Sequence, residues 1–426
     1  MVSFTFFKKN IDSLLAAIAG FTIIFFYTRH GGIGLCPDGV VYTTTAQHVL
    51  SGCRLMDYRY YPMVEFPALY PLFLSAIMFV TGLQPLVFGA MLNAFLFAVV
   101  IYLSGCITER FLYNSKWYKA AVLSCIVLSP GLLEVYSMLW SETIFILLLL
   151  LFIITIQRYF KTYSKKDLIA AAIITSLACV TRYAGITIIA TGCILLLADT
   201  KLPLRKKITD GLLFGLISSA LLIINLTRNY IIGGSMTGMR EKSLSPLTNN
   251  MHDAGTAFYD WLPFFNGNYN GAALLTLVIL CVLAFICVGQ FIRNRRLVHH
   301  ENIAACFALV YISFMVTMAS ISRFETLNSR FLSPAFIPLV WSCSNWIVAL
   351  SKKIKRPQKK WVIISGCIIF CCFQYGQLAA DYETWDGVKD AGIPGYTEDQ
   401  WRYSPTVLFI QKDSLPFKKG YDIYSD

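Results

Sequence analysis

Charged side chains are scarce in this chain: of 426 residues, 14% are Asp, Glu, Lys or Arg, while 56% are hydrophobic. A soluble domain carries about 25% charged residues. Too few polar groups remain here to cover a water-facing surface, so lipid is the expected solvent. The polar segments between apolar runs are too short for a nucleotide-binding α/β domain. Neither a P-loop nor a Rossmann glycine fingerprint after a strand occurs. Low-complexity tracts and short-period repeats are missing too. Histidine is rare: His48 stands alone, and the His299-His300 pair falls on the side away from the acids, so the histidines point to no metal site. No small-x-small cleavage motif closes the first apolar segment, which is read as an uncleaved anchor.

Cysteine is not lacking, but most of the 13 sit inside apolar runs, where they act as small hydrophobes. Cys36 and Cys53 alone fall in a polar segment outside the membrane. A disulfide in an oxidising compartment and two separate thiols are both open there.

A spanning helix needs roughly 20 mostly apolar residues. Stretches 11–27, 86–106, 119–138, 141–159, 168–181, 184–199, 208–227, 271–291, 303–320, 332–350 and 361–379 qualify, which predicts eleven spans. Basic residues recur on one side: Lys8/Lys9, Arg110/Lys116/Lys119, Arg158/Lys161/Lys165/Lys166, Lys201/Arg205/Lys206/Lys207, Arg293/Arg295/Arg296 and the run from Lys352 to Lys360. These hold more than half of the 36 basic residues, against only Asp12, Glu109, Asp167, Asp199, Asp210 and Glu301 among the 24 acids. The positive-inside rule then places the N-terminus in the cytoplasm and the C-terminus outside. The net charge of +12 therefore reads as topology and anionic-lipid contact, not as a nucleic-acid surface. Because the loops after residues 106 and 159 are both basic, span 86–106 must run inward. Segment 66–83 then starts and ends outside, as a helix along the membrane surface. The predicted fold class is an all-α polytopic membrane protein with a helical first outer loop, 28–83. Residues 1–350 form the main module; residues 351–426 add a basic loop, the last span and an outer tail.

The outer side gathers Asp38, Asp57, Glu65, Glu134 and Glu142 with Arg54, Arg59, Arg182, Arg228, Arg240, Arg323 and Arg330. Charged groups at membrane depth are costly and tend to be functional; here they cluster at the outer ends of helices, not at the midplane. Asp38, Tyr42, Ala46 and Leu50 are four apart and share one helix face. Asp38 follows Pro37 at the helix start, so it reads as an N-cap, as a reactive carboxylate favoured by the helix dipole, or as both.

The run Asp38…Tyr42…Ala46…Leu50…Gly52, then Tyr61-Pro62 and Phe66-Pro67-Ala68-Leu69-Tyr70-Pro71, resembles the first outer loop of GT-C membrane glycosyltransferases. The bacterial branch related to protein O-mannosyltransferases and the lipid A aminoarabinose transferase is the most similar. Ser141-Glu142, Thr181-Arg182-Tyr183-Ala184-Gly185, Arg228-Asn229 before Gly238 and Arg240, and Arg330-Phe331-Leu332-Ser333-Pro334 follow in matching order. The resemblance covers residues 1–350 and implies a GT-C fold, with Asp38 as the catalytic base. Two departures stand out. Gly39 replaces the second acid common among relatives, and Phe66-Pro67 replaces a double proline with no preceding Lys. A divalent metal or a particular donor head group is therefore not carried over.

The chemistry can be argued from the residues as well. Outside a cytoplasm the activated sugar must arrive on a lipid, and a polyprenyl phosphate is a good leaving group. Displacement at the anomeric carbon needs a base for the acceptor hydroxyl and fixed positive charge for the phosphate. Asp38 suits the first role, and arginines suit the second. Direct attack inverts the configuration. Substrate contact is expected from Tyr42, Glu65, Glu134, Glu142, Arg182, Tyr183, Arg228, Arg240 and Arg330. Each has a plainer reading: Glu65 a solvated acid, Glu142 a helix cap, Arg182 a snorkelling cation, Tyr183 an interfacial aromatic, Arg228 an interface anchor. The expected partners are a polyprenyl-phosphate sugar, membrane lipids, and a glycan, lipid or protein acceptor, at the periplasmic face of a bacterial inner membrane. A transporter or flippase for a lipid-linked sugar and a non-catalytic membrane subunit are the alternatives.

Overall fold

The computed structural model describes residues 10–30, 32–52, 54–112, 114–262, 269–292, 299–323, 326–352 and 356–391. Among them the chain is helical, with three isolated bridges and no strand. The helices are α1 (Ile11–Tyr27), α2 (Pro37–Leu50), α3 (Leu69–Thr81), α4 (Pro85–Thr108), α5 (Lys116–Val127), α6 (Pro130–Ser137), α7 (Glu142–Thr162) and α8 (Lys165–Thr181). A 3-10 turn at Tyr183–Gly185 leads into α9 (Ile186–Ala198). Then come α10 (Leu204–Gly233), α11 (Leu247–Asp260), α12 (Ala272–Ile292), α13 (His300–Ile321), α14 (Ser329–Ser351) and α15 (Arg356–Ala391).

Seven helices are individually long and apolar enough to cross a membrane, and the bent pair α5–α6 makes an eighth. The shorter apolar helices α1, α8 and α9 lie where the other three spans are expected, but like α3 they are shorter than a full crossing. Stretch 119–138, expected as one helix, is broken. Ser129 caps α6 by accepting from the Leu132 amide, and Pro130 supplies no amide proton. The two halves bend by 50°. Segment 66–83 forms only α3, whose 13 residues reach roughly 20 Å against a hydrocarbon core of about 30 Å.

α7 lies at the centre: 72% of its apolar window is buried, against 6% for Trp361–Gly387 in α15. It packs on α4, α8, α13 and α14, while α15 rests lightly on α1 and α6. At the end where the basic clusters lie, Lys119 is fully buried and bonded to Asp12 (2.8 Å) and Glu109 (3.1 Å), tying α5 to α1 and to the end of α4. Only Lys119 is buried in these pairs, and two partly exposed acids share the compensation of its charge.

At the other end the chain segments before α2 and α7 are stitched together. Gly34 N–H donates to the Ser137 carbonyl, and Leu139 N–H donates to the Gly34 carbonyl, both at 2.8 Å. This parallel pairing sets the start of α2 beside the start of α7. The first loop continues through a tight hairpin, with Asp57 accepting from Arg59 and the Tyr61 amide. Cys36 carries a free thiol; Cys53, for which the sequence leaves both a disulfide with Cys36 and a separate thiol open, lies outside the described residues.

Candidate active site

The starts of α2, α7 and α14 converge at one end of the bundle, and the break between α8 and α9 joins them. Cys36 is the N-cap residue of α2, so Asp38 sits in the first helical turn instead of capping it. Glu142 is the first residue of α7. In α14, Asn328 caps by accepting from the Phe331 amide, placing Arg330 in the first turn. Pro334 cannot donate to the Arg330 carbonyl four residues back; the Ser333 hydroxyl does so at 2.7 Å. Two acids at helix N-termini are favoured by the dipole, and a cation there is not. The convergence resolves this, because Arg330 lies against both acids.

Arg330 donates from Nε to Glu142 Oε1 at 2.7 Å and from its terminal nitrogen to Asp38 Oδ2. Its guanidinium lies 4.2 Å from the centre of the Trp140 ring, a cation–π placement. Trp140 in turn donates to Cys36 Sγ. Arg182 holds the other oxygen of Glu142 at 2.6 Å and reaches Ser141 Oγ at 3.1 Å. Ser141 Oγ meets the Tyr42 hydroxyl at 3.4 Å. The result is a neutral chain: Asp38, Arg330, Glu142, Arg182. Glu142 is fully buried and Arg330 nearly so. Burial, with the Asp38 charge adding, pushes the Tyr42 phenol well above its ordinary range, so it acts as a neutral hydroxyl. The same causes push the Cys36 thiol up to about 11, which makes it a poor nucleophile at neutral pH.

Beside this chain opens a cavity of about 460 Å³. Asp38, Tyr42, Glu65, Arg182, Tyr183 and Arg240 line it, all expected from the sequence, and so does Arg323. Phe314, Met315 and Met318 of α13, with Phe66 and Phe331, form an apolar wall. Arg182 Nε is buried without a hydrogen-bond partner. Arg240 donates to the Thr237 and Glu65 carbonyls and makes no ion pair among the described residues. The strap that carries it lies close on the first loop. Gly238 has φ +77°, and a Cβ there would come within 2.8 Å of Glu65 Cγ.

The remaining expected residues lie elsewhere. Glu142 and Arg330 stand behind the cavity wall as its support. Arg228 points at the loop backbone, donating to the Met63 carbonyl at 2.7 Å and the Leu55 carbonyl at 3.1 Å. Tyr183 both lines the cavity and donates to the Val64 carbonyl at 3.2 Å, with Asn229 donating to its hydroxyl. Glu134 is exposed on α6 and off the cavity. The bend before Ser129 resets the helix phase that a continuous span would have had. Trp140, Arg323 and the α13 wall were not singled out. The spacing of Phe314, Met315 and Met318 on one helix face was the available signal.

Among the described residues no group of three or more His, Cys, Asp and Glu is placed to hold a metal ion. Asp38 and Glu142 are both engaged by arginines. Gly39, which follows Asp38, is packed close to Leu35 and the Leu139 carbonyl. These residues do not fit a divalent cation.

No family model matches the chain, and no curated protein does. Among solved structures, it is similar to the crystal structure of ArnT from Cupriavidus metallidurans bound to undecaprenyl phosphate. The match has a TM-score of 0.51 at 12% identity and covers 94% of this chain and 74% of that one. The chain has the GT-C fold. Within that GT-C framework, the convergence of α2, α7 and α14 is the point where the first loop, the central helix and a late helix contribute charge to one place.

Proposed function

We propose that this chain is a glycosyltransferase that moves a sugar from a polyprenyl-phosphate donor to an acceptor hydroxyl at the outer membrane face, with inversion. One observation carries the reading. The Asp38 carboxylate lines a cavity together with Arg182, Arg240 and Arg323 and with an apolar set of Phe66, Phe314, Met315, Met318 and Phe331. A lipid-linked sugar phosphate has the same division into charged and apolar parts. The undecaprenyl phosphate named for the similar ArnT structure is a ligand of this chemistry. Multi-pass architecture supports a membrane-borne donor.

Arg330 engages Oδ2 of Asp38, and the reading gives Oδ1 the acceptor proton. The acceptor oxygen attacks the anomeric carbon as its proton passes to Asp38. The bond from that carbon to the phosphate oxygen breaks, and its electron pair stays with the phosphate. Arg182 and Arg330 already face carboxylates. Arg240, which makes no ion pair among the described residues, and the partnerless Nε of Arg182 are therefore the groups assigned to the departing phosphate. Tyr42 and Ser141 position sugar or acceptor hydroxyls.

Mass spectrometry of lipid-linked sugars and glycans in a deletion strain tests the function. One polyprenyl-phosphate sugar should accumulate while a glycan loses a residue. Unchanged lipid-linked pools and unchanged glycans would overturn the reading.

A further inference from the structure

Helices α13 and α14 build a second cavity at their opposite ends. Asn302 and Met315, which line the two cavities from α13, lie roughly 20 Å apart along the axis at about 1.5 Å per residue. The second cavity measures about 350 Å³ and is lined by Gln290 of α12, His299, Glu301 and Asn302 at the start of α13, and Asn345 and Trp346 of α14. The Glu301 side chain is buried and makes no ion pair among the described residues. Asn345 Oδ1 is buried without a hydrogen-bond partner. A buried carboxylate without an ion-pair partner is costly; here backbone amides and the exposed His299 nearby offset that cost only in part. A buried acceptor without a donor is costly too.

This lining selects one ligand chemistry. A phosphate would meet the Glu301 carboxylate and be repelled, although the surrounding end of the molecule is basic. A divalent cation would find only one anionic ligand. A primary ammonium carries one positive charge and three N–H donors. It answers the carboxylate, the orphaned Asn345 oxygen and the electron-rich face of Trp346 together. Phe291 and Ile292 of α12 and Ile347 and Leu350 of α14 are exposed beside the cavity, and these are lipid-facing surfaces in a bilayer. We propose that this cavity binds a primary ammonium group, presented by the head group of an aminophospholipid. The proposal is independent of the transferase reading.

The test uses the full chain purified in detergent, with thermal unfolding followed as lipid is added. Phosphatidylethanolamine should raise Tm at lower concentration than phosphatidylcholine, whose trimethylated nitrogen has no N–H donor. Glu301→Gln should weaken the ethanolamine-lipid response about tenfold or more, while Asp38→Asn should leave it intact. If Glu301→Gln does not fold, Trp346→Leu should show the same selective loss. Free ethanolamine that reproduces the shift supports the ammonium site and assigns it to a soluble amine, whereas a shift seen only with the lipid supports the head group. Equal responses to the two lipids, or a preference that survives both substitutions, would overturn the proposal.

Discussion

Arg330 and Glu142 meet at 2.7 Å across the first turns of two helices, both buried and 188 positions apart in the chain. The contact joins the central helix to a late one, and through Arg330 it reaches Asp38 in the first loop. Glu142 therefore acts as a hub: it pairs with two arginines, whose second charge Asp38 balances, and it fixes where their remaining donors point.

Removing that hub should cost stability first. Glu142→Ala leaves Arg182 and Arg330 buried without their shared anion, and one-sided loss of a buried pair costs about 3–5 kcal/mol. Thermal unfolding of the detergent-purified protein should show a clear fall in Tm. Glu142→Gln keeps the shape and one acceptor and should fall less. Equal Tm for Glu142→Ala and the parent chain would show that the arginines find other partners.

Asp38→Asn should separate chemistry from folding. The amide oxygen still accepts from Arg330, but the side chain no longer takes a proton. Transfer should drop by about 10²- to 10⁴-fold, with yield and Tm close to those of the parent. In vitro transfer from a polyprenyl-phosphate sugar measures this. Full activity would remove Asp38 from the role of base.

Much of the site is legible because charge is scarce in so apolar a chain and gathers at the outer ends of its helices. Asp38, Glu142, Arg182 and Arg330 stand out on that ground alone, and the positive-inside count leaves segment 66–83 off the list of spans, where the structure forms a helix of only 13 residues. The pairing was not legible. No local pattern says that Glu142 takes two arginines from α14 and the end of α8. Both were assigned to substrate, yet the structure leaves Arg240 with the more available charge. Glu134 is expected at the site from its place in the second outer turn, after Pro130-Gly131. It stays within electrostatic reach of Arg330 and Glu142 but does not line the cavity. The apolar wall of Phe314, Met315 and Met318 was hidden inside a stretch that is apolar all round.

Arg240 and Arg228 should fail differently. Arg240→Ala removes a cavity cation with no carboxylate to release, so folding should be unaffected. Use of the lipid donor should fall by about 10²- to 10³-fold if the guanidinium meets the leaving phosphate. Arg228→Ala instead frees the Met63 and Leu55 carbonyls and loosens the first loop. It should lower Tm and make the loop more accessible to protease, and Lys at position 228 should restore part of the loss. Donor kinetics and limited proteolysis on both variants distinguish the two roles.

Gly39→Asp asks whether the chain can carry a second acid directly after Asp38. A Cβ at residue 39 would lie 2.9 Å from Leu35 Cδ1 and 3.3 Å from the Leu139 carbonyl oxygen. Leu35 is the end of a flexible side chain and can shift, but the Leu139 carbonyl is held by the pairing of that segment with Gly34. A carboxylate at residue 39 would also sit next to that carbonyl oxygen, in a buried position with no cation facing it. The expected outcome is a lower Tm and lower transfer, with no gain on adding divalent cations. Gly39→Ala should show a smaller part of the same loss, because it adds the contact without the charge. If Gly39→Asp proves as stable as the parent and its transfer becomes stimulated by Mg²⁺ or Mn²⁺, the packing argument fails, and the first loop has room for a metal site that its present residues do not form.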